Sequence, residues 1–245
     1  MSQVKIDAYG LYYRNLNEKI KELIKNGYKK IHIYNVFGQR YIGAGLKNNV
    51  QIYIEGTPGN DLGCFMNGPK IFVNGNCQDG IGNTMNSGEI IVNGNAGDIV
   101  GHSMRGGEIY IKGEVGYRVG IHMKAYKDFY PVIVVGGTAK DFLGEYMAGG
   151  LIIILNLENK DNVVGELTGT GMHGGEIFIR GKINRNIIGK EVEMFNTDKN
   201  DTLKIKNYIE KFCNYFNYKL ESVLFDNFIK LIPVSKRPYG KIYAY

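Results

Sequence analysis

The sequence predicts an all-β chain wound as a parallel β-helix of about eight turns, with an α-helix at each flank. Three observations predict it. Glycine supplies 34 of 245 residues with only 5 prolines and no period of three, about twice its usual share, as expected where many positions need positive φ or close backbone approach. A frame of acid, glycine, methionine, glycine and isoleucine recurs along the chain, the signature of a repeat architecture. Within each unit the strand residues alternate, so that Ile90 and Val92 face inward while Glu89 and Asn93 face water.

Taken in order, residues 1–30 read as an N-terminal helical cap. The helix covers Asn15 to Asn26, with Asn15 as N-cap, Glu18 three residues later, Leu16, Ile20, Leu23 and Ile24 on one face, and Gly27 as the stop. Residues 31–195 hold the repeat. Its clearest units run from Asp79 through Gly82, Met85, Gly88 and Ile90 to Val92, and from Asp98 through Gly101, Met104, Gly107 and Ile109 to Ile111. The frame returns at Asp141, Gly144, Met147, Gly150 and Ile152, and at Glu166, Gly169, Met172, Gly175 and Ile177. The glycine column is Gly43, Gly63, Gly82, Gly101, Gly120, Gly144, Gly169 and Gly189, with spacings of 20, 19, 19, 19, 24, 25 and 20. One such turn buries too little to stand alone, so neighbours must close its core; stacked at about 4.8 Å the turns make a rod roughly 35–40 Å long. The two long spacings place outward loops at 126–132 and 157–162. Residues 196–245 form a C-terminal helix and tail: Asp198 to Tyr218 carries Leu203, Ile205, Ile209, Phe212 and Phe216, and Ile232 to Tyr245 is extended. Both helices are expected to cover the open ends of the coil.

Composition excludes several functions. Cys64, Cys77 and Cys213 are odd in number and lack C-x-x-C spacing, which argues against a disulfide framework or a zinc or iron–sulfur site and for the cytoplasm. No apolar run approaches the roughly 20 residues of a membrane span, and the N-terminus lacks a signal-peptide core. The net charge of +6 is dispersed among acids, which is solvation and not a nucleic-acid footprint.

The repeat columns invite chemistry and mostly decline it. Met66, Met85, Met104, Met123, Met147 and Met172 resemble a thioether ladder, but methionine is also an adaptable core filler. Asp79, Asp98, Asp141 and Glu166 share their column with Arg40 and Tyr117, so they read as caps for backbone N–H groups. His32, His102, His122 and His173 fall at different offsets and form no ligand set. Ser87 and Ser103 lack a paired histidine and acid, and Gly94-Asn-Ala-Gly97 does not complete a dinucleotide cradle. No catalytic, cofactor-binding or metal-ligating residue is assigned. One row points to a partner: Tyr53, Phe72, Ile91, Tyr110 and Phe178 sit between inward positions and should point out. Either a helix of this chain covers them, or they form an intersubunit surface.

Gly97-Asp98, Gly101, Met104, Gly106-Gly107 and Ile109 match the frame G-D-x-x-G-x-x-M-x-G-G-x-I, and through it the chain resembles the C-terminal G-x-G-x-G domain of the glutamate synthase large subunit. Gly144 to Leu155 and Gly169 to Gly175 are especially similar, and the resemblance covers roughly Val36 to Gly189. It implies a right-handed β-helix that serves as a scaffold. Glutamine hydrolysis and flavin chemistry then belong to amidotransferase and FMN-binding partner subunits, with FMN and an iron–sulfur cluster on those partners and no cofactor here. A homo-oligomer is also compatible. The same repeat occurs in a scaffold component of formylmethanofuran dehydrogenase, an alternative membership. A rival of another class is a self-sufficient β-helix enzyme, an acyltransferase or carbohydrate-active protein. An acyltransferase coil would show a six-residue subperiod, which this chain lacks, whereas sugar cleavage would need Asp79, Asp98 and Asp141 gathered in an open groove.

Overall fold

The computed structural model of the chain describes residues 3–224 and 227–234. The order of elements is β1 (Gln3–Asp7), α1 (Tyr13–Lys25), β2 (Lys30–Phe37), β3 (Gln51–Thr57), β4 (Asn67–Asn74), β5 (Ser87–Val92), β6 (Gly107–Ile111), β7 (Pro131–Val135), β8 (Ala148–Ile154) and β9 (Gly174–Arg180). Then come β10 (Val192–Asn196), α2 (Lys199–Phe216), the short α3 (Glu221–Leu224) and β11 (Phe228–Pro233). Strands β1 to β9 pair in parallel, each with the next in sequence. This is the parallel-strand solenoid that the repeat predicts.

Register explains why the coil has a solid core. One inward column of paired residues runs from Ile31 through Ile52, Ile71, Ile90, Ile109, Ile133 and Ile152 to Ile177. A second runs two residues later, from Ile33 to Ile179. All of these side chains are buried, together with the six column methionines. β-branched residues suit such stacks because each packs on its like in the neighbouring strand.

Opposite the sheet, each turn bends through a corner in which three alternate residues take positive φ, for example Ile99, Gly101 and Ser103. The middle place is always glycine, for two reasons. Its φ at Gly101 is +69°, and a Cβ there would lie 2.4 Å from Ile133 Cδ1 of the strand one turn further on. The same conflict recurs at Gly82 with Ile109, 2.5 Å, and at Gly144 with Ile177, 2.6 Å. Glycine and isoleucine columns are thus complementary halves of one packing device.

Several expectations need correction. Eight column glycines do not make eight full turns: β10, which follows Gly189, is separated from β9 by the antiparallel β11. The N-terminal region also contains β1, a parallel strand before the helix. Helix α1 starts two residues before Asn15, with no side-chain cap, and buries Leu16, Ile20 and Ile24. Asn15 therefore lies inside the helix, while the side chain of Asn17 donates to the carbonyls of Tyr13 and Arg40. Helix α2 has a capping box between Asp198 and Asp201 and ends at Asn217 in the left-handed conformation. Leu203 is off its buried face, at 68% exposed. Only α1 packs into the end of the coil, where Leu16 and Ile20 join the main core. The other end is closed by Val192 and Leu231 of β10 and β11. Ile232 and Pro233 belong to β11, and most of the expected tail lies outside the described residues. The insertion loops sit at 126–130 and 157–162; Pro131 and Val132 already belong to β7.

Candidate interaction surface

The row expected to point outward does so. Tyr53, Phe72, Ile91 and Tyr110 pair in register across β3 to β6 and continue through Val134 and Ile153 to Phe178. Most of the row is not free for a partner. Ile91, Tyr110 and Phe178 are buried beneath α2 in a second core with Ile205, Ile209, Phe212 and Cys213. A helix of the same chain supplies the cover, because its 3.6-residue stripe presents an apolar face to the apolar row. The remainder is half-exposed. His32 stacks on Tyr53 with ring centroids 4.5 Å apart, Tyr53 stacks on Phe72 at 4.8 Å, and Phe72 meets Tyr215 of α2 edge-on at 6.5 Å. Lys30 and Lys70 lie over the Tyr53 and Phe72 rings at 5.5 and 5.3 Å, within cation–π range.

Beside the row, Glu89, expected to face water, and its counterparts Glu108 and Glu176 anchor α2. Tyr215 donates to Glu89 at 2.5 Å and Lys70 pairs with the same carboxylate at 2.6 Å. Lys211 pairs with Glu108 at 2.8 Å, and Lys204 pairs with Glu176. Burial raises the Glu89 pKa, but the hydrogen bonds from Lys70 and Tyr215 and the charges of Lys70 and Lys211 outweigh it and hold this carboxyl below its ordinary value. Burial pushes the Tyr110 hydroxyl well above the usual phenol range, and its hydrogen bond to Glu108 adds to this.

The acidic column is a ladder of caps. Asp79 accepts from the Asp98 N–H, Asp98 from the Tyr117 N–H and Asp141 from the Glu166 N–H, each at 2.9 Å and each one turn on. A Cβ on Gly97, Gly116 or Gly165 would fall about on those carboxylate oxygens, at 2.1, 1.9 and 2.1 Å, which accounts for the glycine before each capped residue, Asp98, Tyr117 and Glu166. Asn76 and Asn95 build a parallel ladder by accepting from the N–H groups of Asn95 and Glu114. These acids are spent on backbone groups and are not gathered in a groove, which counts against a sugar-cleaving site. His102 and His122 are neighbours at 6.1 Å and His122 stacks on Tyr146. Among the described residues no group of three or more His, Cys, Asp or Glu is placed to hold a metal ion, and no helix is long and apolar enough to cross a membrane.

The GXGXG motif family matches residues 14–236, from α1 through the last strand. The chain belongs to this family. It is the family of the glutamate synthase C-terminal domain, and the corner geometry shows what its motif encodes. Three alternate positive-φ residues per corner are three places that favour glycine. Gly43-Ala-Gly45, Gly80-Ile-Gly82 and Gly169-Thr-Gly171 fill two of them. A protein of Methanocaldococcus jannaschii described as uncharacterized protein MJ1350 is 50% identical over 254 aligned positions, covering 100% of this chain and 97% of the relative.

Proposed function

We propose that this GXGXG protein is a non-catalytic structural subunit of a glutamate synthase-like complex in the cytoplasm. Partner subunits would carry glutamine hydrolysis and flavin chemistry, with FMN and an iron–sulfur cluster bound to them. The observation that carries the reading is the family match across the entire stack of turns. Three features support it. The residues that first suggest chemistry, the column methionines and acids, are occupied in coil closure. The half-exposed His32, Tyr53 and Phe72 stack leaves a flat aromatic strip beyond the end of α2. Near the same end of the stack, Tyr9, Tyr12 and Phe37 are exposed, Phe37 at 92%, the kind of aromatic surface enriched at interfaces. Cys64, Cys77 and Cys213 are buried and free, as suits a reducing compartment.

The test is affinity purification of the chain from its native source followed by mass spectrometry. Co-recovery of an amidotransferase and an FMN-binding protein is the expected result, and Tyr53→Glu should weaken it without unfolding the chain. Recovery of the chain alone would overturn the reading, and recovery with a molybdopterin protein would move it to the formylmethanofuran dehydrogenase type.

A further inference from the structure

We propose that a hollow on the outer face of the corners binds a small oxyanion, a phosphate or carboxylate group. The hollow has a volume of about 280 Å³ and is lined by Ser103, Arg105, His122, Lys124, Tyr146, Ala148 and His173. It arises from two outward columns. Arg105, Lys124, Ala148 and His173 each follow a column methionine, and Ser103, His122 and Tyr146 each precede one. Backbone bonds hold these rungs in register: the N–H groups of Lys124, Ala148 and His173 donate to Met104, Met123 and Met147 at 3.0, 2.8 and 2.9 Å.

This register places Arg105 and Lys124 on successive rungs, about 4.8 Å apart along the stack, where like charges repel. Neither is paired with a carboxylate among the described residues. Many other lysines and arginines among the described residues also lack an acidic partner, so what sets this pair apart is the hollow that they share. The next residue in the cationic column is Ala148, whose short side chain opens the space before His173. One wall is firm. The His122 and Tyr146 rings stack at 5.4 Å with an 8° tilt, and Gly171 makes room for the Tyr146 ring, since a Cβ there would lie 2.4 Å from it. No carboxylate lines the hollow, and Glu145, next to Tyr146 in sequence, is paired with Arg118. The hollow therefore offers a guanidinium, an ammonium, the His122 imidazole and two hydroxyls, beside a His173 ring whose Nδ1 already faces the Gly171 carbonyl at 3.2 Å, a set of donors suited to a single oxyanion.

This inference stands apart from the scaffold reading and is tested on the isolated full chain. Inorganic phosphate and succinate are titrated separately at low ionic strength, following the ring resonances of His122 and His173 by NMR and the heat by calorimetry. Saturable one-to-one binding of either anion is expected, and the anion that binds identifies the source chemistry. Arg105→Gln should weaken it about tenfold, as for loss of one charge-assisted hydrogen bond, and Arg105→Gln with Lys124→Gln should abolish it. In the absence of anion, Lys124→Gln should leave the unfolding temperature unchanged or slightly raised, because it relieves repulsion. Absence of saturable binding for both anions, or equal binding by the double variant, would overturn the proposal.

Discussion

At the level of single residues, the fold rests on pairs of positions that exclude each other's atoms. Gly101 and Ile133 are the clearest case, because the glycine is required both by its φ and by the isoleucine methyl above it. Gly101→Ala should therefore cost about 2–5 kcal/mol, from backbone strain and overpacking together. Adding Ile133→Val removes the clashing methyl, so the double variant should regain the packing part and keep the strain; urea unfolding of the four proteins measures both. The acid ladder makes a second prediction. Asp98→Ala should cost about 1 kcal/mol through loss of the bond to the Tyr117 N–H, whereas Asp98→Asn keeps the accepting oxygen and should be nearly neutral by the same measurement. The glycine and methionine columns are legible in the sequence because a repeated environment selects a repeated residue. The reason for each glycine is not legible, since it depends on an atom of another turn.

Elements show where periodic reading succeeds and where it fails. The face of α2 is legible from its helical stripe, apart from Leu203, but its place is not: apolar spacing says that a helix is covered and not what covers it. Strands β1 and β11 escape notice because they lie outside the repeat, and β11 ends in a proline, which argues against a strand paired on both sides, as β11 is. The docking of α2 depends on pH in a defined sense. Glu89 has its folded pKa held below the ordinary value of about 4.3, so its contribution is fully present above that value and is lost as pH falls through the lower folded pKa. Amide exchange in α2 should accelerate over that acidic window. Glu89→Gln should remove this component of the acid sensitivity and cost about 1 kcal/mol at neutral pH. An unchanged acid profile in this variant would place the sensitivity elsewhere.

For the molecule as a whole, the question is how a stack of similar turns comes to an end. At the start, α1 inserts Leu16 and Ile20 into the coil. At the finish, Leu231 stands above Ile177 in a strand of opposite direction, and β10 covers that strand in turn. Leu231→Lys should place an unpaired charge at the end of the core and cost at least about 3 kcal/mol, loosening β11. An exposed β9 edge should then make the chain self-associate, visible as concentration-dependent elution in size-exclusion chromatography. The solenoid class was legible from period and glycine content, and the outward row from strand alternation. Closure at the far end was not, because β11 carries no part of the frame, and the anion hollow was not, because it exists only where Ala148 leaves a gap in a column otherwise filled.

The complementary glycine and isoleucine columns behave like the pitch of a screw thread. Rungs separated by 24 and 25 residues engage as closely as those separated by 19: Gly101 still meets Ile133 across the loop at 126–130, and Gly144 still meets Ile177 across the loop at 157–162. The length of chain between two engagements therefore does not set the pitch, although Leu157 packs on the second core and Lys160 pairs with Glu114. Foreign peptides inserted within either loop, with Leu157 and Lys160 kept, should leave the pitch intact, which makes these two positions the natural mounting points for new cargo on this rod.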